Sequence, residues 1–158
     1  MAALPPSASV AKAGAAWWGY QQPAPARILI VDDDETVRKV SAIVMAQWGF
    51  DVDTADDGET GWKALCGSNY DLVITDNDMP RLTGLELIKR MRAVSSNLPC
   101  ILVSGRPPEP EKILAEIIQP GAFLPKPFQP AELMAKAERL LLAKMESMLN
   151  EIRPSAPV

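Results

Sequence analysis

Five polar residues follow short apolar runs of the chain and could do chemistry together: Asp32, Asp33, Asp76, Ser104 and Lys126. Three carboxylates brought together can stay ionised only with a cation between them, and an all-oxygen set suits Mg²⁺. A lysine and a hydroxyl are the donors that phosphoryl transfer requires, and a carboxylate is a competent phosphoryl acceptor. These residues therefore predict magnesium-dependent phosphoryl chemistry.

The chain contains no histidine, which excludes several other kinds of site. Serine or cysteine nucleophiles activated by histidine and histidine-based metal sites are both ruled out. The two cysteines, Cys66 and Cys100, lie in apolar stretches without metal-binding spacing, so we expect two buried free thiols.

Short apolar runs alternate with helical patterns from residue 27 onward, which is typical of βα units with a parallel sheet. Five units can be read in the sequence. The predicted strands are 28–31, 50–55, 72–75, 101–103 and 122–124, and the predicted helices are 35–48, a segment starting at 58, 84–93, 111–118 and 130 to about 150.

The five polar residues all fall at the carboxyl ends of these predicted strands, where open α/β sheets bind ligands. A single aspartate at a strand end is more often a helix cap or a turn residue. Five suitable residues at that edge are poorly explained in this way, so we interpret them as one site.

The first predicted helix has Val37, Val40, Ile43 and Val44 on one stripe, which we expect to face the core, and Gly49 is placed to end it.

The last predicted helix is long and carries Leu141, Met145, Met148 and Ile152 at intervals of four, three and four residues. This stripe is either a seam for a dimer or a partner protein, or part of an ordinary core helix with a frayed end.

The ends of the chain differ in composition from its middle. Residues 1–26 are rich in Ala and Pro and predict a flexible arm, in which the Trp17, Trp18 and Tyr20 cluster could dock onto a partner. Residues 151–158 predict a disordered tail. The net charge of -4 without a basic patch argues against direct DNA binding, and we expect a cytoplasmic protein because neither a signal peptide nor a membrane span is predicted.

The motifs in order resemble the receiver domain of response regulators from two-component signalling, over residues 27 to about 143. They are ILIVDDD at 28–34, DLVITDNDMP at 71–80, TGLEL at 83–87, LVSG at 102–105 and KPF at 126–128. The resemblance implies a flavodoxin-like, doubly wound sheet of five parallel strands in the order 2-1-3-4-5 with five helices.

The resemblance also implies roles for individual residues. Asp76 matches the phosphoacceptor, and Asp33, Asp76 and the backbone carbonyl of Asp78 match the Mg²⁺ ligands, with Asp32 acting through water.

Further roles follow from the same likeness. Ser104 and Lys126 match the pair that contacts the phosphoryl oxygens, and Phe123 matches an aromatic residue that moves when Ser104 moves. The Lys126–Pro127 peptide bond is expected to be cis. Asp78 and Arg106 occupy variable positions, and we expect their charges to set the lifetime of the phosphorylated state.

The resemblance implies a single-domain response regulator of the chemotaxis-regulator type that spans residues 27–150 and is not an enzyme in the ordinary sense. Its partner would be a sensor histidine kinase or a histidine phosphotransfer protein, together with a downstream protein target. Two alternatives remain open: a phospho-independent binding domain, and a phosphohydrolase suggested by the D-x-D pattern at Asp76 and Asp78. Pro80 does not fit the phosphohydrolase pattern.

Overall fold

The computed structural model describes residues 24–94 and 96–152, and in this part of the chain strands alternate with helices. All strand pairs are parallel, and the strand order is β2-β1-β3-β4-β5, which confirms the predicted fold. The elements are β1 (Arg27–Val31), α1 (Glu35–Gln47), β2 (Asp51–Ala55), α2 (Gly58–Gly67), β3 (Leu72–Asp76), α3 (Gly84–Ala93), β4 (Cys100–Ser104), α4 (Glu111–Ile117), β5 (Gly121–Pro125) and α5 (Pro130–Ile152).

The sheet has a hydrophobic core on each face, because helices cover both sides of it. Alternate residues of β1 divide between the two: Leu29 and Val31 join the cluster under α2, α3 and α4, whereas Ile28 and Ile30 join the cluster under α1 and α5. Every residue of β3 and β4 is buried. Such strands carry near-continuous apolar runs, and their polar exceptions are therefore informative.

Helix α1 differs from the prediction in the face that it buries. Val37, Val40 and Ile43 are all exposed, and the fully buried side chain of this helix is Met45. The predicted stripe is therefore wrong as a core face, and Val44 is its half-buried member. Val37, Val40 and Val44 instead line an open groove between α1 and α5. Gly49 does end the helix as expected, with a positive φ of 93°.

The helices beside the sheet edge begin at well-formed caps. The Asp34 carboxylate accepts hydrogen bonds from the backbone N–H groups of Thr36 at 2.8 Å and Val37 at 3.0 Å. Thr83 and Glu86 form a reciprocal capping box at the start of α3. These caps fix the loops after β1 and β3.

Arg92, at the end of α3, binds several backbone carbonyls near the amino-terminal ends of β4 and β5. Its guanidinium donates to the carbonyl oxygens of Leu98 at 2.9 Å, Ile118 at 3.0 Å and Pro120 at 3.2 Å. It also lies 3.4 Å from the sulfur of Cys100. The start of β4 and the end of α4 are therefore held by one side chain.

The two cysteines differ in their environments. Cys100 is buried as predicted, and burial raises the pKa of its thiol to about 11. The prediction for Cys66 is wrong: it lies on an exposed position of the short helix α2.

Helix α5 extends slightly beyond its predicted end. Met145, Met148 and Ile152 are exposed and Leu141 is half-buried, so a seam for self-association stays a prediction. Among residues 24–94 and 96–152, no helix has the length and apolarity needed to cross a membrane. Residues 1–23 and 153–158, including the Trp17, Trp18 and Tyr20 cluster, lie outside the described part, so the predicted arm and tail remain predictions.

Gly84 packs against the strand that carries Asp76, and its replacement tests how tightly this junction is built. A Cβ atom on Gly84 would lie 2.3 Å from the carbonyl oxygen of Asp76, whereas one on Gly67 would meet nothing within 4 Å. We expect Gly84→Ala to lower the free energy of unfolding by about 1 to 3 kcal/mol, as overpacked cores do. Gly67→Ala, the matched control, should change it by about 1 kcal/mol or less, in the stabilising direction. Equal urea midpoints for the two variants would contradict the close packing.

Candidate functional site

Three carboxylates meet at the carboxyl edge of the sheet. Asp32 and Asp33 follow β1, and Asp76 ends β3, the neighbouring strand. One oxygen of each lies within 4.8 Å of the others. Asp76 and Asp32 are buried, with 3% and 7% of their surface exposed, and Asp33 is open to solvent. The cluster thus has a solvent-facing side through which an ion or a phosphoryl donor could approach.

Asp76 is held by two contacts of its carboxylate. The Nζ atom of Lys126 lies 2.7 Å from Oδ1 of Asp76, and the backbone N–H of Asp78 donates to Oδ2 at 2.9 Å. Lys126 directly follows β5, which is an outer strand of the sheet. The predicted acceptor and the predicted lysine are therefore in direct contact although 50 residues separate them in the chain.

The electrostatics of the cluster appear in the pKa values of two groups. Burial raises the pKa of Asp32. The hydrogen bond from the Asp34 N–H opposes this effect, and the charge of Asp76 adds to it. Partial burial disfavours the charged form of Lys126, but its hydrogen bond with Asp76 and the nearby carboxylates outweigh this and raise the pKa of the lysine. Lys126 therefore stays charged, in contact with Asp76 and close to Asp32.

The donor set fits a magnesium ion. Mg²⁺ prefers oxygen ligands and commonly binds through one or two carboxylates while it retains several waters. Asp33 and Asp76 can each supply a carboxylate oxygen, and Asp32 is near enough to act through water. A divalent cation would also relieve the repulsion from Asp76, which adds to the effect of burial on the pKa of Asp32.

Ser104 ends β4 close to the cluster, but its hydroxyl contacts other groups. The Oγ atom of Ser104 lies 3.1 Å from Oδ2 of Asp78 and 2.8 Å from the carbonyl oxygen of Arg106. The predicted tuning residues, Asp78 and Arg106, thus both contact the predicted phosphate-binding serine. The side chains of both are exposed.

Phe123 and the Lys126–Pro127 bond complete the predicted set. Phe123 is half-buried and lines a groove of about 420 Å³ with Leu114 and Ile118 beside α4. The Lys126–Pro127 peptide bond is cis, as expected, and the Gln119–Pro120 bond is cis as well.

Two residues that support the site have no clear signal in the sequence. The side-chain oxygen of Asn77 accepts the backbone N–H of Leu85 at 3.1 Å, which ties the loop after β3 to α3. Arg38 donates from α1 to the backbone carbonyl of Asp32 at 2.6 Å. An asparagine in a loop and an arginine on a helix are ordinary residues, so their roles become visible only in the structure.

Comparison with known families agrees with this arrangement. The family model described as "Response regulator receiver domain" matches residues 28–138, about 70% of the chain. The chain belongs to this family. Membership in the receiver family favours the receiver interpretation over that of a phosphohydrolase.

Curated relatives of this receiver are longer proteins. "Response regulator MprA" of Mycolicibacterium vanbaalenii is 34% identical over 117 residues, which cover 74% of this chain and 51% of that protein. "Transcriptional regulatory protein QseB" of Haemophilus influenzae is also 34% identical, with 73% and 52% covered. The chain thus spans about half the length of these relatives.

Solved structures similar to this receiver match over nearly their whole length. The chemotaxis protein CheY4 of Vibrio cholerae has a TM-score of 0.68 at 28% identity, and the match covers 74% of this chain and 99% of the CheY4 chain. The response regulator TrrA of Thermotoga maritima, solved in complex with Mg²⁺-BeF, has a TM-score of 0.66 at 30% identity, with 73% and 98% covered.

Magnesium binding can be measured through stability. We expect saturating MgCl₂ to stabilise the receiver by about 2.7 kcal/mol at a hundredfold excess over the dissociation constant, or roughly 5 to 10 °C in Tm. Asp33→Asn should lose most of this increase because it removes a charged oxygen ligand. The exposed residue Asp51, at the other edge of the sheet, supplies the control Asp51→Asn, which should respond as the wild type does. The change in Tm is measured by scanning calorimetry. An equal change with Mg²⁺ in all three proteins would contradict a site at Asp33.

Proposed function

We propose that this receiver takes a phosphoryl group onto Asp76 from a phosphohistidine of a partner protein, in a magnesium-dependent reaction. The observation that carries the proposal is the contact between the buried Asp76 carboxylate and the Lys126 ammonium, inside a cluster of three carboxylates. Family membership supports it. The 158 residues contain no histidine, so the proposed phosphohistidine lies outside them.

The reaction would form an acyl phosphate. A carboxylate oxygen of Asp76 attacks the phosphorus atom, the phosphorus–nitrogen bond of the phosphohistidine breaks, and the imidazole leaves with its electron pair. Lys126 would neutralise charge on the transferred oxygens, and the hydroxyl of Ser104 would donate a hydrogen bond to one of them. A Mg²⁺ ion bound by Asp33, Asp76 and the Asp78 carbonyl would neutralise further charge on the phosphoryl group.

A surface for the donor protein lies beside the site. An open groove of about 260 Å³ runs between α1 and the start of α5, and Val37, Val40, Val44, Phe128 and Leu133 form its apolar lining. Some of these side chains also line a small cavity that reaches Asp32, Asp76 and Lys126. A partner bound in an exposed apolar groove that shares lining residues with the acidic site would bring its phosphohistidine near the acceptor.

The output of the switch, in this proposal, is a change in protein contacts around α4, β5 and α5. Phosphorylation adds charge at the strand ends, and Ser104 and Phe123 would respond to it. The exposed apolar residues on the last turns of α5 offer a surface for a second copy or for a target protein. A cytoplasmic location and a role without direct DNA binding remain predictions from the sequence.

Phosphorylation is tested most directly with a small-molecule donor. Incubation with acetyl phosphate and Mg²⁺ should add one phosphoryl group to the wild type and to Asp51→Asn, and none to Asp76→Asn, as read by intact-protein mass spectrometry. Addition to Asp76→Asn would refute the assignment of the acceptor. A wild type that never takes the group would favour the phospho-independent alternative.

The groove is tested by comparing two donors. Val40→Glu places a charge in the groove. The donor in this test is a phosphohistidine protein that phosphorylates the wild type, and we expect its transfer to the variant to be at least about tenfold slower. Its rate with acetyl phosphate should stay unchanged because the acidic site is intact. Leu149→Glu, a matched change at an exposed position of α5 outside the groove, should leave both rates unchanged. Equal transfer rates for Val40→Glu and the wild type would remove the groove from the proposal.

A further inference from the structure

The hydroxyl of Ser104 contacts Asp78 and Arg106. It lies 3.1 Å from Asp78 Oδ2 and 2.8 Å from the Arg106 carbonyl, and it accepts a hydrogen bond from the Arg106 N–H at 3.3 Å. A serine hydroxyl has a single proton, so it donates to Asp78 or to Arg106 but not to both at once. Ser104 is 1% exposed, so water does not compete readily for this proton.

Asp76 takes its contacts from the other side. Its two carboxylate oxygens contact the Lys126 ammonium and the Asp78 N–H. Among the described residues, no hydrogen bond joins Ser104 to Asp76. Asp78 therefore contacts both residues at once, with its backbone N–H on Asp76 and its carboxylate on Ser104.

We propose that the Asp78 carboxylate is a latch, which holds the Ser104 hydroxyl away from Asp76 until a phosphoryl group arrives. The inference rests on the proposed function, because the latch matters only if Asp76 carries a phosphoryl group. To donate to a phosphoryl oxygen, Ser104 must give up the bond that its proton makes with Asp78 or with the Arg106 carbonyl. A carboxylate acceptor makes the Asp78 bond a charge-assisted one, so its loss opposes the active arrangement.

The latch makes Asp78 a positioning residue, in addition to any effect of its charge on hydrolysis. Part of the population is held in an arrangement that binds the phosphoryl group less well, which lowers the apparent affinity for a phosphoryl mimic. Weakening the latch should therefore tighten binding of such a mimic without any change at Asp76, Lys126 or the backbone carbonyl of Asp78.

A double-mutant cycle separates the latch from simple charge repulsion. The affinity for beryllofluoride at saturating Mg²⁺ is measured by calorimetry for the wild type, Asp78→Ala, Ser104→Ala and the double variant. Removal of the Asp78 charge should tighten binding of an anion in both backgrounds. The latch predicts an additional gain of about threefold to tenfold that appears only when Ser104 is present. Equal ratios in the two backgrounds would overturn the proposal.

Asp78→Asn is the matched control, since it removes the same charge but keeps an acceptor oxygen in place. The latch predicts a smaller additional gain for Asp78→Asn than for Asp78→Ala. If the two variants gained equally, charge alone would explain the effect and the latch would be refuted.

A second measurement needs no bound ligand. In the absence of beryllofluoride, Asp78→Ala should move the backbone amide resonances of Ser104 and Arg106 toward their positions in the beryllofluoride-bound wild type. Resonances that remain at their unbound wild-type positions would contradict the latch. A wild type that binds no beryllofluoride at all would instead refute the proposed function, so the two failures can be told apart.

Discussion

The repulsion among Asp32, Asp33 and Asp76 is the constraint on which the rest of the site depends. A parallel sheet brings these carboxylates together from two strands that are adjacent in space but distant in sequence. One ammonium, that of Lys126, meets the cluster from the edge strand β5. The sheet can hold this arrangement because its strands β3 and β4 are completely buried, so packing fixes their positions as well as hydrogen bonds.

The backbone around Asp76 is supported as carefully as its side chain. Gly84 allows α3 to approach the carbonyl of Asp76 closely, and Asn77 joins the intervening loop to the first turn of that helix. The N–H of Asp78 then points at the carboxylate. The loop after β3 is therefore preorganised before any metal or phosphoryl group binds, which reduces the ordering required when they do.

The sequence predicted the fold well because strand and helix periodicities alternate clearly and because the apolar runs of β1, β3 and β4 stop at polar residues. It also placed Asp32, Asp33, Asp76 and Lys126 at one edge, which requires only the direction of the strands.

The failures have a common physical origin. The stripe of Val37 and Val40 looks like a core face, but which flank of a helix meets its neighbour depends on how the two helices pack. Cys66 was misassigned for the same reason. The contact of Asp78 with Ser104 depends on side-chain rotamers. The hydrogen bonds of Arg92 depend on the paths of the loops that it contacts. A local sequence pattern encodes neither rotamers nor loop paths.

The position of Arg92 has a mechanical consequence for the strand that ends at Ser104. One guanidinium contacts Cys100, the first residue of β4, and the carbonyl of Ile118, which follows α4. Strand and helix thus share a pivot at the edge of the sheet farthest from Asp76. A displacement that began at Ser104 would therefore meet a strand whose start is held by Arg92. Helix α4 is anchored near Ile118 but begins at Glu111 without a side-chain cap, so Glu111 marks the less firmly held end of that helix.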